Sequence, residues 1–163
     1  MNELTDHGDA PLQLVEAGYR HVLRVRLAIL WLPLVIGGMV LDNAVLAGTP
    51  FYGLASIAPL PIALIAGIFA PQRIYRRLRY GLTDRLLQVV RGWLFHTDTI
   101  VPFVRVQHLD VTRGPLDKMF GTATLVVHTA GTRNSIVTLP GLAPARAAEI
   151  RDIIREHIRT DFA

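Results

Sequence analysis

The order of apolar and polar residues divides the chain into three regions. Two long apolar runs come first, short alternating runs follow, and the last region has helical periodicity. The apolar runs, Leu27 to Leu46 and Phe51 to Ala70, are each twenty residues long. Twenty residues of helix cover about 30 Å, the thickness of the hydrocarbon core of a bilayer. The pattern therefore predicts two transmembrane helices, the second kinked by Pro59 and Pro61.

Basic residues flank these runs on one side only, because the linking sequence AGTP at 47–50 contains no Arg or Lys. The flanking arginines are Arg20, Arg24, Arg26, Arg73, Arg76, Arg77 and Arg79. Cytoplasmic flanks are enriched in such residues, so we predict a hairpin with both ends in the cytoplasm. A signal peptide is disfavoured by the length of the first run and by the second run. Two buried core helices of a soluble protein are the other alternative.

The junction after the second run has two interpretations. Arg73, Arg76, Arg77 and Arg79 either bind anionic lipid headgroups or only set the topology of the hairpin. We favour the second interpretation, because nearly any cytoplasmic helix end carries this bias.

Asp42 is the one charged residue inside the two runs. Eleven Leu, Ile and Val residues in the first run outweigh the cost of inserting it. An ionisable group at membrane depth is a functional candidate. The structural alternative, which we favour, places Asp42 near the headgroups beside Asn43, where water reaches it.

After the junction the pattern has a period of two, which is typical of strands. The predicted strands are Tyr80 to Thr83, Leu86 to Arg91, Leu94 to Val101, Val104 to Val111, Thr122 to Thr129 and Arg133 to Leu139. Turn-forming residues separate them, including the PG pair at 140–141. Six short strands indicate antiparallel hairpins that are closed, or nearly closed, into a barrel. In the fifth strand we expect Ala123, Leu125, Val127 and Thr129 to face inward.

The last region predicts an amphipathic helix that begins at Pro144. Its apolar stripe consists of Ala147, Ile150, Ile153, Ile154, His157 and Ile158. The opposite face mixes acids with arginines, which favours packing across an open end of the barrel over binding to a membrane.

Several segments together are similar to a known family. The segments are LTDRLLQVVRGWL (82–94), IVPFVRVQHLDVTRGPLDKMFGTATLVVHTAG (100–131) and LPGL (139–142). They resemble the bacterial pleckstrin-homology (PH) like domain of YdbS-like membrane proteins, over more than half of the chain. The resemblance implies a curved barrel of usually seven strands with a C-terminal helix, preceded by a two-helix hairpin. It implies no catalytic residues and leaves the ligand open.

Composition narrows the chemistry further. The chain has no cysteine, which excludes disulfides and thiolate sites. Many of its 16 Arg and one Lys flank the apolar segments, which indicates membrane topology before nucleic acid. His96 with Asp98 and His108 with Asp110 share strand faces, but no spacing typical of metal ligands is present. Ser56 and Ser135 lie in no nucleophile motif. We predict no enzyme, no metal and no cofactor. We also expect Gly114, Gly121, Gly131 and Gly141 to occupy loop corners that need positive φ or close approach.

These observations predict four segments. They are a cytoplasmic N-terminal segment (1–26), a transmembrane hairpin (27–70), a basic junction (71–79) and a PH-like domain (80–163). The preferred function is a noncatalytic interaction module in the bacterial inner membrane, a partner subunit that binds another membrane protein or lipid, with self-association open. The alternative is an oligomeric membrane enzyme or small transporter that uses Asp42.

Overall fold

The structure is a computed structural model that describes residues 11–92, 95–130 and 135–161. In chain order its elements are β1 (Gln13–Leu14), α1 (Tyr19–Ala44), α2 (Leu54–Ile57), α3 (Pro59–Arg77), β2 (Arg79–Leu82), β3 (Leu86–Arg91), β4 (Thr97–Pro102), a 3₁₀ turn (Phe103–Arg105), β5 (Val106–Thr112), α4 (Pro115–Met119), β6 (Ala123–Thr129), β7 (Ile136–Leu142) and α5 (Pro144–Asp161). They form two compact units. One is Arg20–Arg73, and the other combines the described residues before position 20 with those after position 73.

The first unit contains the two apolar helices. Both the helix Tyr19–Ala44 and the stretch Leu54–Arg77 are long and apolar enough to cross a membrane, and only 11% of each apolar window is buried. Such exposure is unlike that of a core helix in a soluble protein. The helices extend beyond the predicted runs on the side of the arginines, while the linking turn is longer than AGTP, from residue 45 to 53. Where the sequence predicted a kink, the helix is interrupted at Ala58. This residue directly precedes Pro59, which has no amide hydrogen.

The second unit contains two antiparallel sheets. One has the order β1-β2-β3-β4 and the other the order β5-β6-β7. The predicted strand Leu86–Arg91 is confirmed, and others differ at their ends. Residues 104 and 105 lie in the 3₁₀ turn, so β5 starts at Val106. The predicted residues Leu94 and Arg133 lie outside the described residues.

The predicted closed barrel is wrong, because the two sheets remain separate in the described part of the chain. After Pro102 the chain bends through the 3₁₀ turn and enters the other sheet as β5, so β4 and β5 do not pair. The guanidinium of Arg91 in β3 donates to the carbonyl of Thr138 in β7 and links the sheets there.

Strand β1 was not predicted, and it lies before the apolar helices. Its residues pair with β2, Gln13 with Tyr80 and Leu14 with Arg79. The two-helix hairpin is therefore an insertion between two neighbouring strands of one sheet.

The core of this unit lies between the sheets and α5. Ala123, Leu125 and Val127 are fully buried, whereas Thr124, Val126 and His128 are partly exposed, which confirms the predicted faces of β6 for these six residues. The inward position predicted for Thr129 is wrong, because Thr129 is partly exposed at the end of the strand. Helix α5 packs on β5, β6 and the 3₁₀ turn. It therefore packs against the sheets, as expected, but not across the end of a closed barrel, since the described sheets are separate. Its fully buried side chains are Ala147, Ile150 and Ile154. Arg146 at its start is hydrogen-bonded to Glu149 and to Tyr80, which raises the pKa of its guanidinium.

The PG pair lies inside a strand and not in the predicted turn. Strand β7 continues to Leu142 with an irregular register opposite Ala123 and Leu125. Gly141 has a φ of 79°, and a Cβ there would lie 2.6 Å from Cγ of Tyr19. Only glycine fits this backbone and the close ring. The predicted special role of Gly141 is confirmed.

The loop RGPLDKMFG contains the short helix α4. Buried Asp117 accepts hydrogen bonds from the amide of Gly114 and the hydroxyl of Thr122, at 3.1 and 2.7 Å. Asp117 therefore stabilises the backbone geometry of this loop. Gly121 has a φ of 68°, as predicted, but Gly114 has a φ of −72° and needs no left-handed backbone. Gly131 lies outside the described residues.

Candidate functional site

Asp42 holds the two ends of the helical hairpin together. Its carboxylate accepts hydrogen bonds from the hydroxyl and the amide of Ser56, at 2.5 and 2.8 Å, and from the amide of Ala55 at 3.2 Å. These amides lie in the first turn of α2, where a helix has no internal acceptors for its N–H groups. Asp42 therefore caps α2 from the neighbouring helix.

The expected water-exposed position of Asp42 is wrong, because its side chain is only 2% exposed. Asn43 does lie on the surface, where it accepts from the Tyr52 hydroxyl at 3.3 Å. The sequence contained a signal for the cap, since Ser56 and Asp42 are rare polar residues in otherwise apolar runs. Their pairing depends on the length of the intervening turn, which sequence periodicity does not give.

Gly38 explains how α1 approaches α2 so closely. A Cβ at Gly38 would lie 2.3 Å from the carbonyl oxygen of Ala55, whereas a Cβ at Gly37 would meet nothing within 4 Å. Residues four apart lie on the same face of a helix, so Gly38 and Asp42 form one contact surface. Sequence reasoning missed this role of Gly38.

The four predicted junction residues Arg73, Arg76, Arg77 and Arg79 are all exposed. Arg73 belongs to the helical unit, and the other three belong to the sheet unit. Arg79 is the first residue of β2, and its side chain is exposed.

The histidine pairs of the sequence have different environments. His108 Nε2 lies 3.0 Å from Asp110, and His128 Nε2 lies 3.6 Å from the same carboxylate, on a largely exposed face. Asp98 accepts from Gln88 at 2.8 Å. Within residues 11–92, 95–130 and 135–161, no group of three or more His, Asp or Glu side chains could hold a metal ion.

Strand β4 has an outer edge that no described strand pairs with, since it is the last strand in its sheet. The amide of Phe103 donates to the carbonyl of Arg85 at 3.0 Å, which makes these two a hydrogen-bonded pair. Such pairs alternate along an antiparallel ladder. In this register the residues bonded to β3 are Val101, Thr99 and Thr97. The amides and carbonyls of Ile100 and Asp98 therefore point away from the sheet.

A groove of about 350 Å³ runs beside this edge. It is lined by β4, by Thr129 and Val137 of the other sheet, and by Arg105 and Ala130, which lie outside the strands. The side chain of Ile100 is 57% exposed, while Val101 faces the core and is 3% exposed. A larger groove of about 720 Å³ beside the 3₁₀ turn mixes Asp84, Arg85, Glu156 and His157, and this charge mixture defines no ligand class.

Comparisons with known proteins agree with this architecture. The family model of the bacterial PH domain matches residues 27–158. The UPF0699 transmembrane protein YdbS of Bacillus subtilis is 34% identical over 92 residues, 56% of each chain, so this chain spans about half the length of that relative. No solved structure matches significantly. The matched range covers both the hairpin and the sheets, and the chain is therefore a membrane-associated member of the bacterial PH domain family.

Proposed function

We propose that this protein is a noncatalytic interaction module tethered to the bacterial inner membrane, and that it binds a partner membrane protein through the outer edge of β4. The observation that carries the proposal is the row of outward-pointing amides and carbonyls at Asp98 and Ile100. An exposed strand edge can accept an extended segment of another chain as a new strand. The family and the relative also favour a noncatalytic role.

The topology of the tether can be inferred from the position at which the hairpin is inserted in the sheet. Leu14 and Arg79 are the residues on either side of the inserted helices, and they pair directly. Paired residues in neighbouring strands lie about 5 Å apart. Both ends of the insertion must therefore emerge on the same side of the membrane, which requires an even number of crossings. We therefore propose two crossings and, from the positions of the arginines, a cytoplasmic domain.

The first prediction tests this topology. Reporter fusions at Gly48 and after Ala163 are expected to report opposite sides of the membrane, the first periplasmic and the second cytoplasmic. Alkaline phosphatase and green fluorescent protein activities measure the two sides. A fusion after Leu14 serves as the control and should agree with the C-terminal fusion. A periplasmic C-terminus would contradict the proposed cytoplasmic location of the module.

The arginines of the junction contribute to the tether in this proposal. Arg73, Arg76, Arg77 and Arg79 fix the cytoplasmic side of the hairpin, and their exposed guanidinium groups contact lipid phosphates. Each basic group near an anionic leaflet adds about 1 kcal/mol of attraction.

The second prediction tests the strand edge. Ile100→Pro removes one outward-pointing amide hydrogen and leaves the hydrogen bonds to β3 in place. A photo-crosslinking residue at Arg105, on the rim of the groove, should capture the partner in cells. We expect Ile100→Pro to reduce this crosslink roughly tenfold, because a lost hydrogen bond and a blocking ring cost about 1–2 kcal/mol.

Ile100→Thr is the matched control, since it keeps the amide hydrogen and should keep the crosslink. Mass spectrometry of the crosslinked species distinguishes another membrane protein from a second copy of this chain. Equal crosslinking in both variants would contradict binding at the strand edge. A second copy as the sole partner would replace the partner-subunit role by self-association.

No observation favours the alternative of an enzyme or transporter that uses Asp42. Both carboxylate oxygens accept hydrogen bonds from Ala55 and Ser56, and the side chain is buried. These hydrogen bonds connect α1 to α2 and so stabilise the hairpin.

A further inference from the structure

The outer edge of β4 carries two side chains of different chemistry on one face of the sheet. Asp98 and Ile100 share this face because they are two residues apart in the strand. Both side chains are exposed, that of Ile100 by 57%. The Oδ2 atom of Asp98 accepts a hydrogen bond from Nε2 of Gln88 at 2.8 Å. The edge therefore presents a carboxylate and an apolar side chain beside the outward-pointing backbone groups of the same two residues.

A strand added to this edge in antiparallel orientation would continue the existing pattern. The pairs β1–β2, β2–β3 and β3–β4 are all antiparallel, and such ladders are slightly more stable per residue than parallel ones. Side chains of directly opposite residues lie on the same face and contact each other. The added strand would run from the Pro102 end of β4 to the Thr97 end. Its residue opposite Ile100 therefore comes two positions before its residue opposite Asp98.

The β4 strand of a second copy fits this edge poorly in each register that uses these backbone groups. With Asp98 opposite Asp98 of the second copy, two carboxylates would repel each other. With Asp98 opposite Ile100 of the second copy, each carboxylate would face an apolar side chain. With Ile100 opposite Ile100 of the second copy, Asp98 would face Pro102, which has no amide hydrogen. A different chain can avoid all three defects.

A second charge distinguishes the two ends of the edge. Arg105 lies in the 3₁₀ turn, three residues beyond Pro102, and its exposed side chain lines the groove. A basic residue at this end of an added strand would be repelled by Arg105, whereas a basic residue opposite Asp98 would be attracted. The charges of the edge therefore favour a basic residue in the second half of the added strand.

We propose that the partner of β4 is an extended segment in which an apolar residue is followed two positions later by a lysine or an arginine. The apolar residue covers Ile100, the basic residue pairs with Asp98, and the residue between them faces the groove beside Thr99. This inference rests on the proposed function, because it names the kind of segment that binds at the same edge. It gives Asp98 the role of selecting the partner by charge.

The absence of cysteine makes a direct test practical, because an introduced cysteine is the single thiol of the protein. The backbone groups of Thr99 bond to β3, so Thr99 would belong to a non-hydrogen-bonded pair with the added strand. The Cα atoms of such a pair lie about 4.5 Å apart, which suits a disulfide. The full-length Thr99→Cys protein in mild detergent is therefore mixed with short peptides that contain valine, cysteine and lysine in this order. Each peptide is supplied as its mixed disulfide with glutathione.

We expect the lysine peptide to be trapped roughly fivefold more than a peptide with glutamate in place of the lysine, because opposite charges attract and like charges repel across the pair. Asp98→Lys should reverse this preference by a similar factor. Glu16→Lys is the matched control, since exposed Glu16 follows β1 at the opposite edge of the sheet. It makes the same change in charge and should keep the preference for lysine. Mass spectrometry of the intact protein measures the trapped fractions.

A second control tests whether the peptides bind as a strand. Ile100→Pro removes an outward-pointing amide hydrogen and should strongly reduce trapping of the lysine peptide. Unchanged trapping in this variant would overturn the inference. The same protein without peptide tests for a second copy, because the register with Asp98 opposite Ile100 brings the two introduced cysteines together. A disulfide dimer that forms as readily as the peptide adduct would overturn the inference in favour of self-association.

The charge preference is decided by Asp98→Lys. Preference for lysine that persists in this variant, equal trapping of both peptides by the Thr99→Cys protein, or no trapping of either would each overturn the inference. The crosslink from position 105 in cells decides about the proposed function separately. If Ile100→Pro reduces that crosslink while the peptides show no charge preference, the strand edge remains the binding site and only the charge pattern of the partner is wrong.

Discussion

Replacing Gly38 by leucine is expected to separate the two helices of the hairpin at their turn. The new side chain would meet the backbone of α2, since even a Cβ at Gly38 lies 2.3 Å from the carbonyl oxygen of Ala55 and 3.2 Å from Cα of Ser56. Backbone atoms cannot move aside as a flexible side chain can. The expected loss of stability is therefore about 3 kcal/mol, at the upper end of the range for overpacking substitutions. The cap from Asp42 to Ser56 would be lost with it.

The measurement uses a cysteine pair across the turn. Asn43 and Tyr52 contact each other through a side-chain hydrogen bond of 3.3 Å. In an Asn43→Cys, Tyr52→Cys background, a short bis-maleimide should link the two thiols rapidly, and Gly38→Leu should slow that reaction by at least tenfold. Gly37→Leu is the matched control, because a Cβ there meets nothing within 4 Å. Similar rates in both variants would show that α1 and α2 do not depend on this close approach.

The second large effect is expected from Leu125→Asp in the centre of β6. Leu125 is fully buried, and its pairing partners in β5 and β7 are Val111 and Leu139. A carboxylate without a partner in this environment costs more than about 4 kcal/mol. That is a large fraction of the stability of a typical domain, so cooperative unfolding of the sheet unit should disappear.

Thermal proteolysis of the full-length protein in nanodiscs measures this loss, as the temperature at which protease begins to cut the sheet unit. Thr124→Asp is the control, since Thr124 is on the opposite face of the same strand and is partly exposed. We expect its effect to stay within about 0.5 kcal/mol. An unchanged transition for Leu125→Asp would mean that the two faces of β6 are exchanged.

Much of the fold follows from local sequence patterns. The two helices, strand β3 and helix α5 were predicted because their signals are contained within each segment. Apolar length identifies a span, and alternation or helical spacing identifies a buried face. The inward and outward faces of β6 were predicted correctly from Ala123 to His128 for the same reason.

Strand β1 could not be predicted in this way. It has two residues, Gln13 and Leu14, and both are exposed. It counts as a strand only because Tyr80 and Arg79 pair with it across the whole hairpin. A contact between residues so distant in sequence leaves no periodic signal in either segment.

The candidate site likewise combines features that local sequence shows with features that depend on tertiary contacts. Sequence alone identified Asp42 as unusual, since a charge in an apolar run stands out, and it placed the junction arginines and the strand regions. The tertiary structure decided that Asp42 caps α2 and that the sheets stay open at β4. Both features depend on turns that determine which distant segments meet: the turn at 45–53 for the cap, and the 3₁₀ turn Phe103–Arg105 for the open edge. Composition and spacing determine which segments form helices and strands, but backbone geometry in the turns determines which of their polar groups meet.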